Sequence, residues 1–80
     1  MFISAQVSLY PLRQEHLSPA IDVLNETLRR SGLHPEIGAM STVITGDADA
    51  AFEALRRGFL AASAKGHVVM VVTLSNACPT

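Results

Sequence analysis

Few residues of this chain have the types and spacing that catalysis or metal binding requires. His16, His34 and His67 are far apart in the sequence, and Cys78 is its one cysteine. Zinc sites need Cys and His ligands at short, defined spacings, and a nucleophilic cysteine needs a base beside it. We therefore expect no metal site, no cofactor and no catalytic residue, and we expect Cys78 to be a small buried residue.

Charge and hydropathy exclude two further classes of partner. Six Lys and Arg stand against seven Asp and Glu, and the aromatic residues are three Phe and one Tyr. Nucleic-acid binding usually requires a basic face with interleaved aromatic side chains, so we expect no nucleic-acid partner. The first twelve residues lack the regions of a signal peptide, and no run approaches the roughly 20 apolar residues of a membrane helix. We expect a cytoplasmic protein without membrane insertion.

The remaining polar side chains lie on predicted strands and in loops. Polar and apolar residues alternate over 3–10, which is typical of a strand, and Pro11 ends it because proline has no N–H to donate. The apolar run 67–74 predicts the last strand. Two short strands are predicted over 35–37 and 41–45, with a bend between them.

Two helices are predicted between these strands. The first has Ser18 as its N-cap and ends before Gly32, and the second is capped by Asp47 and ends at Gly66. Gly58 lies inside the second helix, where we attribute it to close packing of the helix on the sheet. The spacing i, i+3, i+7 predicts core stripes of Ile21, Leu24 and Leu28 in the first helix and Phe52, Leu55 and Phe59 in the second.

The order β-α-β-β-α-β predicts an α+β fold of the ferredoxin-like type. In this fold a four-stranded antiparallel sheet carries both helices on one face, since both crossovers are right-handed. We expect one domain over 1–80.

One face of this sheet is left without helices. Val69 and Val71 fall on that side of the last strand, and Val43 or Ile44 adds an aliphatic side chain from the third. The polar residues expected there are Ser4, Gln6, Ser8 and either Thr42 or Thr73. An exposed apolar patch usually marks an interface or a binding groove, so we expect sheet-to-sheet assembly into a dimer or tetramer. The buried Gln6 and Ser8 would then bond either to each other across the dimer or to a small polar ligand.

Four segments, in their order and spacing, resemble the YkoF-like family of thiamine- and hydroxymethylpyrimidine-binding proteins. They are ISAQVSLYPLRQ, GAMSTVITGD, FEALRRGF and VTLSNACP, and the resemblance covers nearly the whole chain. It implies a ferredoxin-like domain that assembles through its sheet and is not an enzyme. It also implies a role in the uptake or salvage of thiamine precursors, with association with a transporter as one form of that role.

The resemblance further implies which side chains face the ligand. They are Gln6, Ser8, Tyr10, Met40, Ser41, Thr42, Ser75 and Asn76. Amide side chains offer the donor and acceptor that an aminopyrimidine requires, and Met and Tyr can cover an aromatic ring. Because Asp47 and Asp49 occupy the clearest helix N-terminus, unphosphorylated thiamine or hydroxymethylpyrimidine is favoured over the diphosphate.

Four other functions are compatible with the residues. An acylphosphatase-like hydrolase would need a loop that binds an anion, and Arg13 in YPLRQEHL is the one residue that fits this requirement. The same fold also serves regulatory modules that bind amino acids at dimer interfaces, and oligomerisation units without a ligand. RNA binding on the open sheet face would need more aromatic side chains than Tyr10.

Overall fold

A computed structural model describes residues 1–77, and Cys78 lies outside the described residues. The elements are β1 (Phe2–Pro11), α1 (Ser18–Arg30), β2 (Glu36–Ile37), β3 (Thr42–Asp47), α2 (Ala48–Ser63) and β4 (Val68–Ser75). The strands form one antiparallel sheet in the order β2-β3-β1-β4. The predicted ferredoxin-like fold is therefore confirmed, with β4 at a sheet edge beside β1. Of the helices within 1–77, none is long and apolar enough to span a membrane.

The register of β1 separates the two faces of the sheet. Ile3, Ala5 and Val7 are buried beneath the helices, whereas Gln6 lies opposite Val43 of β3 and Thr73 of β4. Residues directly opposite each other share a face. Thr73 therefore belongs to the face without helices, and Thr42, one residue before Val43, points to the helix side.

The helix-free side, called the open face below, mixes polar and apolar side chains as expected. Its members on β1, β3 and β4 include Ser4, Gln6, Ser8, Tyr10, Val43, Thr45, Val69, Val71, Thr73 and Ser75. Val69 and Val71 are 45% and 50% exposed. Two neighbouring aliphatic side chains on an edge strand leave apolar surface in water, which is unfavourable in an isolated domain.

The predicted core stripe of α2 is wrong in two of its three residues. Phe52 and Phe59 are exposed, and α2 buries Leu55 together with small residues. These small residues are Ala51, Ala54, Gly58 and Ala62. A Cβ atom on Gly58 would lie 2.6 Å from Leu24 Cδ1 of α1, so the two helices approach closely at this point. Gly58 thus serves helix–helix packing and not the predicted packing on the sheet.

The two helices begin with different N-caps. Asp47 caps α2 as predicted, and its Oδ2 accepts a hydrogen bond from the Asp49 N–H at 3.2 Å. The predicted Ser18 cap is wrong, because α1 already includes Ser18 and its N-cap is Leu17, with no side-chain cap bond. The Leu17 carbonyl accepts from the Ile21 N–H at 3.4 Å, which closes the first turn one residue earlier.

Candidate ligand-binding site

A cavity of about 300 Å³ lies between α1 and the loop that joins β2 to β3, and we call it the hairpin cavity. The loop is closed by the Gly38 N–H, which donates to the Ser41 carbonyl at 2.8 Å. The lining residues are Val7, Leu9, Tyr10, Leu17, Ile21, Leu24, Asn25, Gly38, Ala39, Met40, Ser41 and Thr42. The cavity is therefore built by the second half of β1, the first half of α1 and the hairpin.

One hydrogen bond joins α1 to β3 at this cavity. Thr42 Oγ1 donates to Asn25 Oδ1 at 2.8 Å, and Thr42 is only 5% exposed. Sequence reasoning missed Asn25, although a signal was present: it stands four residues after Ile21, on the flank of the core stripe. A polar side chain at such a position needs a partner, and here the partner is a strand hydroxyl.

A second bond connects the hairpin to the open face. Gln6 Nε2 donates to Ser41 Oγ at 3.4 Å, which is a long hydrogen bond. Met40, beside it in the loop, is 82% exposed. Gln6 of the open face thus contacts a lining residue of the hairpin cavity, Ser41, although Gln6 itself does not line it.

Among residues 1–77, no charged residue lines the hairpin cavity. Arg13, on which the hydrolase alternative depends, is exposed and does not line the hairpin cavity. Within 1–77 no group of three or more His, Cys, Asp or Glu could hold a metal ion. The volume of the hairpin cavity is at the lower end of the range for ligand pockets, which is roughly 300–1,000 Å³. This arrangement suits one small, neutral, mostly apolar ring with hydrogen-bonding groups on its edge.

A second cavity of about 320 Å³, called the terminal cavity, lies beside the opposite end of β1. Its lining residues are Met1, Ile3, Ala48, Phe52, Leu74, Ser75 and Asn76. Ser75 lies opposite Ser4 at the end of β4, and its Oγ accepts from the Ala77 N–H at 3.0 Å. The last described residues thus form a local turn beside this cavity.

The eight residues implied by the resemblance are divided between these places. Four of them line the hairpin cavity: Tyr10, Met40, Ser41 and Thr42. Gln6 contacts this group through Ser41, whereas Ser8 lies opposite Val71 on the open face. Ser75 and Asn76 lie at the terminal cavity. No single cavity therefore unites all eight, and their contacts with a ligand stay predictions.

Comparison with solved structures gives the fold. A hypothetical protein from Methanocaldococcus jannaschii is 23% identical with a TM-score of 0.86, covering 99% of this chain and 84% of that one. A domain of unknown function from Bacillus cereus is 21% identical with a TM-score of 0.83, covering 92% and 74%. A candidate thiamine biosynthesis/salvage protein from Thermotoga maritima is 14% identical with a TM-score of 0.84, covering 94% and 83%. Because all three identities are below 25%, these similarities show a shared fold only.

Comparison of the sequence with protein families identifies the family. No curated protein matches the chain. The model of the YkoF-related family matches residues 2–80, which is almost the whole sequence. This chain therefore belongs to the YkoF-related family.

Proposed function

We propose that this protein binds thiamine or its hydroxymethylpyrimidine part and catalyses no reaction. Its role would be the uptake or salvage of thiamine precursors in the cytoplasm, with transfer to or from a transporter as one form of that role. Membership of the YkoF-related family and the Thermotoga maritima neighbour support a thiamine-related role. The observation that carries the proposal is the hairpin cavity, which gathers Tyr10, Met40, Ser41 and Thr42.

The chemistry of the hairpin cavity favours the pyrimidine end of thiamine. Leu17, Ile21 and Leu24 supply apolar surface for the faces of a flat ring. Asn25 and Ser41 supply amide and hydroxyl groups that can match the amine and ring nitrogens of an aminopyrimidine. The lack of charge on the lining disfavours a diphosphate, and also an amino acid, since a zwitterion needs compensation for both charges.

A second copy of the chain would complete the assembly through the open face. The exposed Val69 and Val71 support this, because a sheet-to-sheet contact would remove both from water. Val71→Lys should convert the wild-type oligomer into a monomer, since it would bury an unpaired charge. Ala64→Lys, at the exposed end of α2, is the matched control and should leave the oligomer intact. Light scattering after size exclusion measures both, and a monomeric wild type would contradict this part of the proposal.

Calorimetric titration tests the ligand. Thiamine, hydroxymethylpyrimidine, thiamine diphosphate and a set of amino acids are each added to the folded wild-type protein. We expect saturable heat from thiamine and hydroxymethylpyrimidine and weaker binding of the diphosphate. Heat from an amino acid alone would instead support a regulatory module, and no heat from either thiamine-related compound would overturn the proposal.

A further inference from the structure

The side-chain amide of Asn25 is a polar group of the hairpin cavity that is bonded to another element of the fold. Its Oδ1 accepts the bond from Thr42 Oγ1 at 2.8 Å, and Thr42 is buried on the helix side of β3. An amide whose oxygen is engaged in this way has its two N–H groups turned to the other side. No other hydrogen bond of the Asn25 side chain occurs among residues 1–77 that would occupy those donors.

The donors of Asn25 are also accessible to a ligand. Asn25 lines the cavity and is only partly buried, and within 1–77 no buried side-chain nitrogen or oxygen lacks a partner. Its Nδ2 group is therefore accessible to solvent on a residue that lines the cavity. The neighbouring walls, from Ile21 and Leu24 of the same helix, are apolar. A donor set in an apolar wall discriminates strongly, because a ligand without the matching acceptor leaves it unpaired.

We propose that Asn25 determines specificity by donating from Nδ2 to a ring nitrogen of the bound heterocycle, with Thr42 as the positioning residue that holds the amide. This inference rests on the proposed function and adds to it which atom of the ligand is recognised. The ligand class is a neutral nitrogen heterocycle with an sp² acceptor at its edge. The Asn25 oxygen already accepts from Thr42 Oγ1, whereas its two N–H donors have no partner among residues 1–77, so the donors are the groups of this amide that select an acceptor on the ligand.

Calorimetric titration of hydroxymethylpyrimidine and two analogues tests the role of Asn25. In each analogue one ring nitrogen is replaced by C–H while the other substituents stay. We expect wild-type protein to bind one analogue about tenfold more weakly than the parent compound, as for loss of one buried hydrogen bond. Asn25→Ala should bind the parent about tenfold more weakly and no longer distinguish it from that analogue.

Two isosteric substitutions complete the test. Thr42→Val removes the hydroxyl that holds the amide, and we expect about threefold weaker binding with part of the discrimination retained. Thr27→Val is the matched control, since Thr27 Oγ1 donates to the Val23 carbonyl at 2.7 Å on the same helix and Thr27 is not a lining residue. It should leave affinity unchanged.

The outcomes separate this inference from the proposed function. Wild-type protein that binds the parent and both analogues equally overturns the role of Asn25 alone, and so does discrimination that survives in Asn25→Ala. Wild-type protein that binds neither thiamine nor hydroxymethylpyrimidine overturns the proposed function, and this inference with it. The analogue series on wild-type protein needs no variant, so a variant that fails to fold does not remove the test.

Discussion

The hairpin cavity and the terminal cavity have similar volumes, about 300 and about 320 Å³, but hold their polar groups differently. In the hairpin cavity, Thr42 is bonded to Asn25 of another element, and Gln6 to Ser41 across the sheet. In the terminal cavity the polar side chains belong to the consecutive residues Ser75 and Asn76, both exposed, and Ser75 Oγ accepts from the Ala77 N–H of the same turn. Groups that are already ordered bind a ligand at less entropic cost. The comparison therefore favours the hairpin cavity as the ligand site.

The largest effect should come from filling one cavity and then the other. Ala39→Phe places a ring in the hairpin cavity from an exposed loop position, so we expect ligand affinity to fall about 100-fold. Asn76→Phe fills the terminal cavity from an exposed position at the other end and should change affinity less than about twofold. Calorimetric titration measures both variants. The reverse pattern would move the site to the terminal cavity.

A smaller effect should follow from tighter packing between the helices. The Cβ of Gly58→Ala would meet Leu24 Cδ1, and Leu24 also lines the hairpin cavity, into which its side chain can move. We expect affinity to fall about fivefold. The free energy of unfolding should change by less than about 1 kcal/mol, because better helix propensity offsets the strain.

Ser63→Ala, on the exposed side of α2, is the control for helix propensity and should leave affinity unchanged. Titration and urea unfolding of both variants separate ligand loss from stability loss. Wild-type affinity in Gly58→Ala would show that Leu24 does not shape the site.

The smallest effect on binding is expected at the terminal end of the domain. Asp47→Ala removes the N-cap of α2, which should lower the free energy of unfolding by about 1 kcal/mol. Affinity should stay unchanged, since Asp47 lies at the far end of β3 from Thr42. Asp47→Asn keeps a capping side chain and should be nearly as stable as wild type in urea unfolding. A loss of affinity in Asp47→Ala with the protein still folded would argue that the two ends are coupled.

The sheet was predictable from the sequence because a period of two leaves little choice. Once Ile3, Ala5 and Val7 are buried, Gln6 must lie on the opposite face, as the register confirms. The order of strands and helices followed from the alternation of this pattern with helical spacing along the chain. Strand and helix bounds differed from prediction by one to three residues, as at Ser18, where a good capping residue was already inside the helix, and at Ser63, where α2 ends before Gly66.

The core stripe of α2 was not predictable from periodicity alone. Phe52 and Phe59 have the same helical spacing as Ala51 and Gly58, so the pattern fits two orientations of the helix that differ by one residue. Apolar residue size favoured the phenylalanines. The close approach of Leu24 to Gly58 selects the orientation that buries the small residues of α2. This approach is a tertiary contact, which periodicity does not reveal.

The candidate site was predictable only in part for a similar reason. The resemblance pointed to Tyr10, Met40, Ser41 and Thr42, and these residues do meet at one cavity. It could not tell that Ser75 and Asn76 line another cavity, because the register of β4 against β1 sets their position. Asn25 was not predicted as a site residue, because the position of one asparagine in a helix identifies a contact only when its strand partner, here Thr42, is known.

The proposed ligand site is the hairpin cavity. Intermolecular nuclear Overhauser effects between hydroxymethylpyrimidine and the wild-type protein test it without any substitution. We expect contacts from the ligand methyl group to Leu17 and Ile21, which line that cavity. Contacts to Phe52 and Leu74, which line the terminal cavity, would contradict it.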